Sequence, residues 1–166
     1  MNILVHPTPI GTLHLASDGS SLVACEFEGH ERGLAHRLHR EGQTGAPDAV
    51  LDQTRAELDD FFRGRLKAFT VPLTPRGTDF QRKVWEALRT IPYGDTTSYG
   101  KLAARIGEPA AVRAVGAANG RNPIVIIVPC HRVIGADGSL TGFGGGLPRK
   151  QFLLGLERGE TPLLLT

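Results

Sequence analysis

The chain has 166 residues, a net charge of +2, 40% hydrophobic and 22% charged residues, which suits one or two globular domains with a real core. No run approaches the about 18 consecutive apolar residues of a membrane span. Residues 1–15 carry neither a basic segment nor a sustained apolar one, so no signal peptide is expected and the expected compartment is the cytoplasm.

The first 30 residues read as β-structure. Thr12–Ala16 and Leu22–Phe27 are strand patterns separated by the turn pair Asp18-Gly19, which predicts a hairpin. Cys25 lies inside the second arm and reads as a buried small hydrophobe. Glu31–Arg40 is a short helix candidate with Leu34, Ala35 and Leu38 at helical spacing, followed by a Gly-rich loop over 42–47. Asp48–Arg63 is a stronger helix, with Leu51, Leu58, Phe61 and Phe62 near one face and Gly64 as its stop. Phe69–Leu73 is expected to add an edge strand, where Pro72 confines it. Thr74-Pro75-Arg76-Gly77 reads as a linker, dividing the chain into 1–74 and 75–166.

The second half has another character. Asp79–Thr90 is predicted helical, with Phe80, Val84, Trp85 and Leu88 as its apolar face, and Pro92–Asp95 is a turn. Thr97 or Ser98 caps a helix running to Ile106, which Gly107 closes. Pro109 is expected in the first turn of a third helix over 110–119, so the two short helices form a helix-turn-helix candidate. That third helix is built from alanine, valine and glycine with one long cation, Arg113. It reads either as a tightly packed internal helix or as a slim surface for a narrow groove. Ile124–Val128 is a β-branched run that must be buried and that delivers the chain to Pro129-Cys130-His131-Arg132. A Gly-rich loop over 142–146 precedes a last helix from Pro148 to about Arg158.

Charge is uneven between the halves. Residues 1–74 hold 7 Lys and Arg against 10 Asp and Glu, net −3, and residues 75–166 hold 12 against 7, net +5. The second half is therefore the one suited to a polyanion such as DNA. Two cysteines are too few for a disulfide framework; they read better as one core residue and one candidate for chemistry. Cys130 is that candidate. A thiol with a pKa of about 8.5 needs a neighbouring base or positive field to become a thiolate, and His131 and Arg132 adjoin it. A buried structural cysteine flanked by surface charge is the plainer alternative.

Ile127-Val128-Pro129-Cys130-His131-Arg132-Val133-Ile134 resembles the active-site signature of the O6-alkylguanine-DNA alkyltransferases. Ile91–Gly94, Ser98-Tyr99, Arg113–Gly116, Asn119, Asn122-Pro123 and Gly145–Glu157 match the same family in order and spacing, so the likeness runs from about Gly77 to Glu157. The N-terminal half matches only loosely, around Pro9–Leu13. The resemblance implies an α/β N-terminal domain of the ribonuclease-H-like type. It implies a mostly helical C-terminal domain with a winged-helix-like helix-turn-helix.

The resemblance also implies roles. Cys130 takes the alkyl group from O6-alkylguanine, and from O4-alkylthymine if that lesion is accepted, as a stable thioether, so each molecule acts once. His131 accepts the thiol proton through a water, Glu157 supports His131, and Asn122 holds the segment together. Tyr99 lies near the DNA backbone and can donate to guanine N3. The helix carrying Arg113, Ala114 and Gly116 enters the minor groove of double-stranded DNA, with Arg113 filling the place of the extruded nucleotide. Val133, Gly144, Gly145 and Lys150 line the base pocket; Gly144 stands where some relatives carry serine. Arg132 and Val133 read as structural, although backbone carbonyls here serve the base pocket. Lys150 has a solvated helix lysine as its plainer alternative, and Tyr99 a packing role. No cofactor and no membrane partner is implied, and a monomer is expected. Cys25 and His30 are spaced like two zinc ligands near His6 and His14, but no second spare cysteine exists and no metal is expected.

Three other readings remain open on the sequence. A lesion sensor of the same superfamily would lack the cysteine. A Cys-His-Glu acyl hydrolase would leave the helix-turn-helix unexplained. A self-methylating regulator would need a further domain.

Overall fold

The computed structural model describes residues 1–29, 33–40, 46–143 and 145–160. It divides into two compact units, one ending at Arg76 and one beginning at Gly77.

The first unit is a three-stranded antiparallel sheet, β1 (Asn2–Thr8), β2 (Gly11–Ser17) and β3 (Leu22–Phe27), in that order, with helices α1 (Leu34–Arg40) and α2 (Ala49–Phe62). The hairpin expected at Asp18-Gly19 joins β2 to β3, and Leu15 pairs with both Leu4 and Cys25. Strand residues alternate between faces. Ile3, Ala16 and Ala24 lie on one face and pack with Leu34 and Leu38 of α1. Asn2, His6 and Ser17 point to the other face and bond α2 through Asp48 and Asp59. A sheet covered on both sides buries every residue of β3, which is why its sequence is apolar apart from Glu26 instead of alternating; Glu26 accepts from the Leu34 amide at 3.0 Å. Asp48 caps α2, accepting from the Leu51 amide at 2.9 Å, and its second oxygen accepts from Asn2 and Ser17. One carboxylate thus fixes the helix start against two strands.

Phe69–Leu73 does not form the expected edge strand. The Thr70 and Val71 amides donate to the Glu57 carboxylate at 2.7 and 3.2 Å, and Pro72 has no N–H. What remains is a single parallel bridge, Leu22 to Leu73, held by two backbone bonds. The Gly-rich loop expected over 42–47 lies largely outside the described residues, as do residues 31 and 32 of the first helix candidate.

The second unit is mostly helical. Its elements are α3 (Asp79–Leu88), the short strand β4 (Thr97–Ser98), α4 (Tyr99–Arg105), α5 (Val112–Gly120), β5 (Val133–Ile134) and α6 (Leu147–Glu157). α3 begins with a capping box between Thr78 and Gln81. Its Val84, Trp85 and Leu88 are buried, and the Trp85 indole N–H donates to the Ala118 carbonyl of α5 at 2.8 Å. β4 and β5 pair in parallel, Thr97 beside Val133. Ser98 caps α4, and Gly107 at φ +79° ends it. α5 starts two residues later than its composition suggested: the Ala111 amide donates to the Glu108 carbonyl, so Pro109 sits inside a closed turn instead of the first helical turn. Among the described residues no helix is long and apolar enough to cross a membrane.

Replacing Asp48 by alanine removes the cap and strands the Asn2 and Ser17 donors. Urea unfolding should show a loss of about 2 kcal/mol; an unchanged midpoint would mean that the carboxylate carries none of this junction.

Candidate active site

The β-branched run before Cys130 is not extended. Ile124, Ile126, Ile127 and Val128 are buried and Val125 half-buried, but the backbone folds into successive tight turns. The Val128 amide donates to the Ile124 carbonyl, Ile127 to Val125, and Cys130 to Val128. Ile126 takes φ +72°, a left-handed conformation rarely adopted by a β-branched residue, at a strain of about 1–3 kcal/mol. The Asn122 carboxamide braces these turns from inside: its nitrogen donates to the Val128 carbonyl at 2.7 Å and its oxygen accepts from the Ile124 amide at 3.0 Å. Local bonds thus replace the ladder that a strand would have offered. They end in one 3₁₀ turn, Cys130–Arg132, with all three residues buried.

Cys130 is only 4% exposed and remains a thiol. Burial pushes that thiol up to about 11, against the hydrogen bond from Asn122 and the charge of Lys150, which favour the thiolate. At neutral pH the sulfur therefore holds its proton, and nucleophilic attack would need a base to take it.

His131 is fully buried. Its Nε2 lies 2.6 Å from Glu157 Oε2 on α6. Burial disfavours ionisation of Glu157, but the bonds and charges of His131 and Arg132 outweigh it and hold the carboxyl at about 2. An ionised carboxylate can only accept, so Nε2 carries the hydrogen. Burial is also the largest influence on His131; with the Arg132 and Lys150 charges it outweighs the pull of Glu157 and moves the imidazole down from its ordinary value. The ring is thus neutral at pH 7, and Nδ1 keeps a lone pair, buried and without a protein hydrogen-bond partner.

Arg132 binds the same carboxylate. Its Nε and Nη2 donate to both oxygens of Glu157 at 2.8 and 3.0 Å, and its Nη1 donates to the Ile91 carbonyl at 2.7 Å. The turn after α3 adds the Gly94 amide, 3.3 Å from Glu157 Oε1, and the Tyr93 ring, 5.8 Å from the guanidinium carbon.

Lys150 is not a solvated helix lysine. It is fully buried, and Nζ donates to the carbonyls of Val133 at 2.6 Å and Thr141 at 3.0 Å. Burial lowers its proton affinity, with Cys130 acting in the opposite sense. Tyr99 is half-buried beside Gly116, and its hydroxyl shares a 2.8 Å hydrogen bond with Thr141. Arg113 and Ala114 are exposed on α5 and Gly116 is half-buried, whereas Val115, Ala118 and Asn119 of the same helix face inward. Gly145 precedes α6; Gly144 lies outside the described residues, as does His30.

Cys130, His131, Asn122, Glu157, Val133 and Lys150 thus meet around one buried turn, while Arg113 and Ala114 stand apart on the surface. Thr141 and Asn119 went unrecognised as site residues. Asn119 donates to the Cys130 carbonyl at 3.5 Å, a link that its position on a helix opposite the small exposed residues could have signalled. Nothing around Thr141 in the sequence signals its contacts.

Comparison with known proteins matches both units to one family. Residues 4–75 fit the description "6-O-methylguanine DNA methyltransferase, ribonuclease-like domain", and residues 79–159 fit its "DNA binding domain". A methylated-DNA–protein-cysteine methyltransferase of Mycobacterium tuberculosis (H37Rv) is 52% identical over 159 residues, 96% of this chain and 93% of the relative. The Haemophilus influenzae protein of that name is 46% identical over 154 residues, 92% of this chain and 84% of the relative. A crystal structure of Mycobacterium tuberculosis OGT in complex with DNA superposes with a TM-score of 0.86 at 46% identity, covering 98% of this chain and 96% of that one.

The thiol chemistry is directly measurable. Modification of Cys130 by iodoacetamide should be slow at pH 7–8 and still rising as pH approaches about 11; a plateau set by an ordinary thiol near 8.5 would contradict the burial argument.

Proposed function

The chain belongs to the 6-O-methylguanine DNA methyltransferase family, and from that membership we propose that it repairs O6-alkylguanine in double-stranded DNA by moving the alkyl group irreversibly to Cys130. Its first unit is the family's ribonuclease-like domain and its second the helical DNA-binding domain. The observation that carries the reading is the buried Cys130-His131-Glu157 arrangement, in which a protonated thiol sits beside a neutral histidine whose Nδ1 has no protein partner.

In this reading a water relays the Cys130 proton to His131 Nδ1, and Glu157 holds the ring by Nε2. The sulfur attacks the alkyl carbon as the C–O6 bond breaks, its electron pair staying on guanine. The guanine regains a proton at N3 from Tyr99, whose phenolate takes one back from solvent as the His131 imidazolium gives its own up to solvent. The net exchange moves the alkyl group to sulfur and one hydrogen to guanine. Of the three N–H groups of Lys150, two serve the Val133 and Thr141 carbonyls. The third is available at the O6 edge. Val133 and Gly145 complete the base pocket. The thioether is stable and no step of this reading returns it to a thiol, so each molecule turns over once, and O4-alkylthymine is a second substrate to test.

A base inside a duplex cannot reach a sulfur that is 4% exposed, so the nucleotide must leave the stack. α4, the turn over 106–111 and α5 act as the helix-turn-helix, with the turn over 135–139 after β5 as its wing. The small exposed face of α5, with Ala114 and Gly116, enters the minor groove, and Arg113 fills the vacated place in the stack. The protein acts as a monomer in the cytoplasm, where Cys130 stays reduced.

Duplex DNA carrying O6-methylguanine labelled in the methyl group tests the proposal. Peptide mass mapping should place one equivalent of label on Cys130 and none in C130S, which should still bind the lesion. Label elsewhere, or repeated turnover, would overturn it. R113A should slow repair of duplex DNA by at least tenfold while leaving transfer from the free base near wild type.

A further inference from the structure

We infer that Arg132 is a positioning residue for the transfer: by binding both oxygens of Glu157 it offsets the carboxylate's charge, so that Glu157 orients the His131 ring without ionising it. The inference rests on the proposed role of His131 as base.

The argument starts from a conflict. A carboxylate 2.6 Å from a buried imidazole fixes its orientation, but an opposite charge that close also favours the imidazolium. An imidazolium donates from both nitrogens and could take no proton from Cys130. The Arg132 guanidinium resolves the conflict by geometry. It is buried, forks onto Oε1 and Oε2 of Glu157, and is itself anchored by the Ile91 carbonyl, so it cannot swing away. His131 therefore meets a neutral ion pair instead of a bare anion.

The other groups around the ring agree in sign. Lys150 on α6 adds a second positive charge, and Cys130 on the same turn is a neutral thiol at rest. Tyr93, from the turn after α3, faces Glu157 and Arg132 and is held above its ordinary value by burial first and by Glu157, so it adds no negative charge. Glu157 is the one anion among these groups, and Arg132 is the cation bonded to it.

The test reads the ring itself. Nitrogen-15 NMR of histidine-labelled protein, with the His131 signal identified by its loss in H131Q, should report a neutral ring protonated on Nε2 at pH 7 and a midpoint below the ordinary histidine value. In R132M the His131 midpoint should rise by about one unit or more, and the acid limb of the methyl-transfer rate should move up with it. In R132K, which restores the charge, the midpoint should return toward wild type. An Arg132 that merely supports packing would lower the rate equally at every pH and leave the midpoint in place, overturning the inference. An imidazolium in the wild-type protein at pH 7 would overturn it equally, and that measurement needs no variant to fold. If the wild type transfers no methyl group to Cys130, the proposed function fails, whereas the ring's protonation still decides whether Arg132 balances Glu157.

Discussion

The Glu157 carboxylate is the point on which the second unit's chemistry hangs. It lies at the end of α6 with its side chain 1% exposed, a position where a charge is expensive unless fully bonded. The His131 ring, the Arg132 fork and the Gly94 amide satisfy it. Those bonds draw together three pieces of chain distant in sequence: the turn after α3, the reactive turn and the last helix. Buried ion pairs of this kind add little net stability over a well-packed apolar core. Their consequence is directional, because the Arg132 fork fixes the Glu157 carboxylate, and the single bond from Glu157 Oε2 to Nε2 orients the His131 ring.

A second constraint concerns the sulfur. Burial shields Cys130 from adventitious reagents and keeps it protonated, which suits a residue that can react only once. The same burial would make it inert without a base nearby and a cation behind it. Lys150 meets the second need while being held by two carbonyls. The strained Ile126 and the Asn122 clamp show how the chain reaches this arrangement: tight turns pack β-branched side chains inward while the backbone bends toward the reactive residue.

α5 links that interior to the surface. Val112, Arg113, Ala114 and Ala117 are exposed, while Ala118 accepts from Trp85 and Asn119 reaches the Cys130 carbonyl. One nine-residue helix therefore has a slim exposed face and makes a polar contact to the turn that carries Cys130. Small side chains serve both purposes, since they permit close approach on the outside and tight packing on the inside.

Much of this was legible in the residues themselves. Hydrophobic spacing located α2 and α3, turn residues located the hairpin and the end of α4, a Gly-rich stretch followed by Pro148 located the start of α6, and the Pro-Cys-His-Arg run with Asn122 and Glu157 marked the segment around Cys130 by resemblance. These signals are local, or belong to a motif whose spacing survives intact. The expected strand at Phe69–Leu73 failed where a distant group competed for the backbone, because Glu57 took the Thr70 and Val71 amides. The burial expected of Ile124–Val128 came with tight turns held by Asn122 and neighbouring carbonyls, a conformation that composition alone does not specify. Ionisation was likewise invisible. Sequence adjacency placed His131 and Arg132 beside Cys130, but only the packed interior decides that the thiol stays protonated, that Lys150 is buried, and that Arg132 turns to Glu157. Which groups lie next to one another in the chain is a matter of sequence; which charges lie next to one another out of water depends on tertiary packing, because desolvation and Coulomb energies follow distances through space.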